Sequence, residues 1–252
     1  MDEIITALAA QQDEFAGVLA GRDDADWLLP SSCEGWTIAD VVLHLAQTNE
    51  LAIASIGHDL PAAAERLGAG DGRASTVDEN ADAMVAAQRD VPVAELRDRW
   101  QAGVDRLQIL FSSADLHDRV PWVAGELSVQ TLAATRLAET WIHTGDIAEP
   151  LGVTLPPTDR LKHVARLAWR TLPYAFARAG RELAGPVAFE LVSPGGKEWS
   201  FVPDDAEPVT VLRGDGAELC LLAAQRLRPG DTSLHGDGVD VDSVLELVRT
   251  YA

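Results

Sequence analysis

Past Gly185 the spacing of apolar residues shortens from about 3.6 to about 2, and that change constrains the fold more than any other feature of the chain. Upstream, over roughly the first 180 residues, the pattern is helical. It predicts a first helix over 2–20, then the turn "DWLLPSSCEGW". A second helix follows, capped by Thr37 with Asp40 three residues on and running through "IADVVLHLAQTNELAIASIG". A Gly- and Ala-rich connection around "LGAGDGR" leads to a third helical region over 77–112, interrupted near Pro92. A fourth helix spans about 128–151, and "TDRLKHVARLAWRTLPYAFARAG" reads as a helix bridging onward. Downstream, "PVAFELV", "EWSFVP" and "VTVLRGD" read as strands, with "SPGG" turning between the first two. "GAELCLLAAQRL" then reads as a helix, "TSLHGD" as a short strand and "DVDSVLELVRTY" as a closing helix. The expectation is an α+β chain. Its parts are a helical bundle over 1–155, a bridging helix and linker over 156–184, and a small C-terminal α/β domain over 185–252.

Charge narrows the partners. The chain has 40 acidic and 20 Lys or Arg residues, a formal net charge of −20. Nucleic acid needs clustered basic residues, so it is a poor candidate, and the same field repels anionic membranes. A small anionic substrate requires a locally positive pocket. No run of about 18 apolar residues suggests a membrane span. The start, "MDEIITALAAQQDEF", carries acids where a secretory signal carries positive charge, so a cytoplasmic location is expected. Cys33 and Cys220 are the only cysteines, which suits neither a disulfide scaffold nor a four-sulfur zinc site. Both read as packing groups.

The chemistry concentrates in "RLAETWIHTGDIAEPLG", residues 136–152. On a helix, residues three, four and seven apart share a side, so Thr135, Glu139, His143 and Asp146 lie together. Ala134, Leu137, Ala138, Trp141 and Ala148 form the expected apolar stripe, leaving the carboxylate and imidazole free of core packing. Glu139 and His143 are spaced either to share one ion or to form an exposed hydrogen-bonded pair. An ion needs a third ligand, and His44 in "VVLHLAQTNEL" is the best placed if helices two and four are neighbours. His58, His117, His163 and His235 are weaker choices. Two histidines and a glutamate leave a divalent ion an open position, a donor set common for catalytic zinc. Asp146 then orients a ligand or accepts a proton, or is an ordinary surface acid.

"CEGWTIADVVLHLAQTNE", followed further on by "AETWIHTGDIAEPLG", resembles the mycothiol-dependent maleylpyruvate isomerase family. The resemblance covers most of residues 1–155. It implies a DinB-like four-helix bundle binding a divalent metal, generally zinc, with nickel as an alternative. Trp36, Asp40, His44 and Leu45 match the family's Trp-x-x-x-Asp-x-x-x-His-Leu pattern, and Glu139 and His143 match its other two ligands. The C-terminal part is similar to the small sterol-carrier-like domain of many members. There the resemblance implies a substrate-carboxylate arginine at Arg226, with Arg228 as the fallback; a helix-terminal arginine is the competing reading of Arg226. The family tends to show His-x-Trp-Asp after the glutamate, whereas this chain has His143, Thr144, Gly145 and Asp146.

The resemblance implies an enzyme using a metal and a small thiol, mycothiol, as an isomerase or S-transferase on a small electrophile. Two other functions compete with it. One is metal-dependent hydrolysis with Asp146 as base. The other is a non-enzymatic module that binds a metal or an apolar ligand.

Overall fold

The structure, a computed structural model, describes residues 2–69, 76–123 and 125–250. It divides into two compact units, residues 1–155 and 156–252.

Four long helices frame the first unit: α1 (Glu3–Leu19), α3 (Ile38–Ile56), α6 (Val93–Ser113) and α7 (Val129–Ala148). A single short turn, α2 (Asp24–Trp27), precedes α3, and the smaller α4 (Leu60–Leu67) and α5 (Val77–Gln88) lie on the connection from α3 to α6. α1 packs on α7, and α3 packs on both α6 and α7. Each long helix contributes an apolar face to one core containing Phe15, Trp27, Ile38, Val41, Val42, Leu45, Leu96, Trp100 and Ile147. Phe15 and Trp100 meet there at 5.0 Å between ring centroids. The expected break near Pro92 is real, since proline cannot continue a helix from its own amide and here serves as the N-cap of α6. The connection expected around 67–73 lies mostly outside the described residues.

Between α6 and α7 the chain forms a hairpin that the helical pattern did not suggest: β1 (Arg119–Trp122) pairs antiparallel with β2 (Gly125–Ser128). It carries Trp122 against a second cluster of Leu51, Ala63, Leu67 and Met84.

The second unit begins with α8 (Leu161–Arg178), which packs on α9 (Gly216–Ala223) and α10 (Val241–Leu247). Its sheet runs β4 (Glu198–Phe201), β3 (Val187–Val192), β5 (Thr210–Asp215), β6 (His235–Asp237) in spatial order. β3 and β5 are parallel, and the outer two strands are antiparallel to their neighbours. "SPGG" makes the β3–β4 turn, closed by the Ser193 amide donating to the Lys197 carbonyl at 2.7 Å, with Gly196 at φ 77°. Trp169 of α8 donates its indole N–H to the Val187 carbonyl at 2.8 Å, tying helix to sheet. Strand and helix order is as the periodicity predicts. α9 is shorter than expected, because Gln225 adopts a positive φ of 60° just beyond it. The last residue of the expected closing helix, Tyr251, lies outside the described residues.

Candidate metal centre

The site is built where α3 faces α7. The start of α3 is fixed by a capping box: the Asp40 amide donates to Thr37 Oγ1 at 3.2 Å, and Asp40 Oδ2 accepts the Thr37 amide at 2.9 Å. Asp40 is itself buried and accepts from Arg89 Nε at 2.9 Å. One turn further, His44 points to α7, and its Nε2 lies 3.0 Å from Glu139 Oε2. His143, four residues along α7, sets its own Nε2 3.6 Å from the same oxygen. The side chains of His44 and Glu139 are each 9% exposed and that of His143 is 12% exposed.

One donor atom from each of the three residues falls within 4.8 Å of the others. Tetrahedral ligands about 2.0–2.2 Å from zinc lie roughly 3.3–3.5 Å apart. The observed 3.0 and 3.6 Å separations bracket that range. Nδ1 of His44 is buried with no hydrogen-bond partner among the described residues, while Nε2 is the nitrogen turned to Glu139. The residues therefore fit a divalent ion, in donor type and in spacing.

Asp146 lies behind His143, its Oδ2 2.9 Å from His143 Nδ1. That contact favours hydrogen on Nδ1, so that Nε2 is the nitrogen that would give up its proton to an ion. Asp146 is 2% exposed, which rules out the reading of an ordinary surface acid. The loop before α3 closes over this side. A bridge pairs Pro30 with Thr37, and the Ser32 amide donates to the Asp146 carbonyl at 3.0 Å. Cys33 is thereby brought to the centre, its thiol donating to Asp146 Oδ2 at 3.1 Å and lying 3.7 Å from His143 Nδ1. Cys33, His143 and Asp146 form a second group with metal-competent spacing. Trp36 stands over both imidazoles, 5.1 Å from His44 and 6.4 Å from His143 between ring centroids.

Burial and hydrogen bonding oppose one another at these groups. Burial alone drives the Glu139 carboxyl upward, yet the hydrogen bonds from His143 and His44 hold it well below the usual range. Burial pushes His143 down, but its bonds to Asp146, Cys33 and Glu139 raise it well above an ordinary imidazole. For His44 burial prevails and the value falls.

Two expectations are corrected. The stripe facing the core on α7 includes Leu132, Ala133, Leu137, Ala138, Ile142 and Ile147, while Ala134 and Trp141 are only half-buried. Glu139 is inside the protein with that stripe, because α1 and α3 both pack on this helix. Cys33, taken as plain packing, touches the site. Its signal lay in being three residues before Trp36, but only the turn pinned to Asp146 turns it inward. His58, His117, His163 and His235 join neither metal-competent group among the described residues. Arg226 lies in the C-terminal unit just past α9, where its Nη1 donates to the Ala224 carbonyl at 3.0 Å. Arg136, overlooked in the sequence, is three residues before Glu139 and fully inside the bundle, 2% exposed.

The sequence pattern described as the Mycothiol maleylpyruvate isomerase N-terminal domain matches residues 8–148, which include His44, Glu139, His143 and Asp146. The chain belongs to this family. Two uncharacterized proteins of Mycobacterium tuberculosis, one from each of two strains, are 30% identical to it over 249 residues, covering 98% of this chain and 95% of theirs. The fold is similar to that of crystal structures of the mycothiol-dependent maleylpyruvate isomerase and of a histidine-to-alanine mutant of it. Each has a TM-score of 0.57 and covers 93% of this chain and 92% of the other, at 19% and 18% identity respectively. At that identity the likeness is one of fold.

Proposed function

We propose that this chain is a divalent-metal-dependent enzyme that uses a small thiol, of the mycothiol type, to isomerise or S-conjugate a small electrophile. The observation that carries the reading is the buried convergence of His44, Glu139 and His143 from two helices, with one donor atom of each within 4.8 Å of the others. These three residues would hold the metal, with zinc the first choice for two nitrogens and one carboxylate oxygen. A divalent ion bound there supplies an open coordination position and a charge that favours the thiolate form of a thiol at neutral pH.

The chain's own residues have distinct parts. Asp146 keeps the proton of His143 on Nδ1 and so keeps Nε2 directed at Glu139. Trp36 shields His44 and His143 on one side, limiting water there. Asp146 also stands as a proton acceptor for a group entering beside His143. Arg226 is carried as the substrate-carboxylate arginine on family resemblance alone.

The two chemistries divide by the fate of the thiol. Isomerisation of a conjugated cis-alkene adds the thiolate, allows rotation about the resulting single bond, and expels the same thiolate with the double bond restored. S-transfer forms a C–S bond and loses a leaving group, or protonates the neighbouring carbon, so one thiol is consumed per turnover.

The test has two stages. Metal content by plasma mass spectrometry is expected to give about one ion per wild-type chain, and far less in folded His44→Ala, Glu139→Ala and His143→Ala. Incubation of the zinc-loaded protein with a low-molecular-weight thiol and maleylpyruvate or model electrophiles is then expected to show metal-dependent turnover. Absence of stoichiometric metal after incubation with zinc or nickel would sink the proposal. Turnover that needs no thiol would replace it with hydrolysis.

A further inference from the structure

Arg136 is a cation buried inside the bundle with few polar contacts among the described residues. Its side chain is 3% exposed, and Glu139 Oε1 stands 4.0 Å from Nη2, at the limit of an ion pair and too far for a hydrogen bond. Nε and Nη1 are both buried and have no hydrogen-bond partner among the described residues. The guanidinium carbon lies 5.6 Å over the Trp122 ring, a contact that occupies one face of the plane and none of its N–H donors. Glu139 is shared between Arg136 and the histidines, since its other oxygen, Oε2, is engaged by His44 and His143. A buried guanidinium with free donors is costly unless something meets it. With a divalent ion in place, the formal charges of ion, Glu139, Asp146 and Arg136 sum to a net positive centre in a protein of net charge −20.

The two oxygens of Glu139 separate two functions. Oε2 faces the histidines and Oε1 faces Arg136. From these contacts we infer that Arg136 is an anion receptor within the candidate site, binding the carboxylate of a small acid whose reactive carbon lies toward His44 and His143. Planar N–H donors in a fork match a carboxylate geometrically, which suits arginine better than lysine here. The inference rests on the proposed function and adds to it one specificity-determining residue. It assigns the receptor to α7 itself, independently of Arg226.

The probe is maleate, a cis-dicarboxylate, with its neutral diamide as control. In zinc-loaded protein labelled with ¹⁵N-arginine, the Nε–Hε signal of Arg136 is identified by its loss in Arg136→Lys. It is expected to shift saturably with maleate and to stay in place with the diamide. By calorimetry, zinc-loaded Arg136→Gln is expected to bind maleate about tenfold more weakly or worse, with zinc content unchanged. Affinity within about twofold of wild type in that variant means that maleate sits on the metal alone, and overturns the inference. An Arg136 signal unmoved at saturating maleate does the same, and so does a wild type that binds no maleate. The wild-type spectrum decides the matter even where the glutamine variant does not fold. If wild type takes up no zinc, the proposed function fails, and the same titration on metal-free protein still decides whether Arg136 receives the anion.

Discussion

His143 engages both ring nitrogens, Nδ1 toward Asp146 at 2.9 Å and Nε2 toward Glu139 at 3.6 Å. Removing the charge behind a ligand while keeping its shape tests that division. Asp146→Asn is therefore expected to weaken zinc binding about tenfold to a hundredfold without unfolding the bundle, read by competition with a chromogenic chelator. The same geometry gives the metal affinity a pH dependence. His143 is raised well above the ordinary imidazole in the metal-free protein, so an incoming ion must displace its proton. Apparent zinc affinity is expected to climb with pH until His143 is deprotonated, then to level off. The stability of the metal-free protein moves the other way. A raised folded value means that the protonated imidazole favours folding. Its contribution is complete below the unfolded value of about 6.5 and is lost as pH rises through the raised one. Urea titrations of metal-free protein, compared with a His143→Ala control over that window, check the sign. At this scale the sequence revealed the Glu139 and His143 spacing, because four residues on one helix fix both directions. It did not reveal Arg136's burial, although Arg136 shares that side at three and seven residues.

Two elements control how the donors meet. The capping box of Thr37 and Asp40 sets where α3 begins and hence which way His44 points. Thr37→Ala removes the side-chain acceptor of the Asp40 amide and is expected to cost about 1 kcal/mol. Equilibrium urea unfolding measures it, and a change below a few tenths would show that packing alone fixes this helix start. That cap was legible as a sequence motif. The hairpin of β1 and β2 was not: its strands are four residues each, and Pro121 interrupts the pairing signature. It is held by tertiary contacts instead, with Ser55 Oγ donating to the Pro121 carbonyl and Trp122 reaching Arg136. In the C-terminal unit the alternation was long enough for its strands to be read directly, and their order along the chain agrees with the structure, whereas their order in the sheet was not legible.

At the scale of the molecule, an ion bound to donors from α3 and α7 would link two helices distant in sequence and so would stabilise the folded state by mass action. At a free zinc concentration a hundred times its dissociation constant this amounts to about 2.7 kcal/mol. Chelation is expected to lower the thermal midpoint of wild type by several degrees. Protein bearing Glu139→Ala should be indifferent to chelator. A wild-type midpoint that also ignores the chelator counts against a metal in the native fold. Among the described residues no helix is long and apolar enough to cross a membrane, in keeping with the short apolar runs of the sequence.

What the sequence determined by itself was local in origin. Apolar periodicity set helix against strand, caps and turn residues set several boundaries, and helical spacing put Glu139, His143 and Asp146 on one side. Tertiary structure decided the remainder. His44 and Glu139 are 95 residues apart, and only packing of α3 on α7 closes that distance. The Ser32 amide on the Asp146 carbonyl turns Cys33 inward, and the position of α7 inside the bundle takes Arg136 out of water. A helix presents the same residues wherever it is, but which of them lose their water depends on what packs against it.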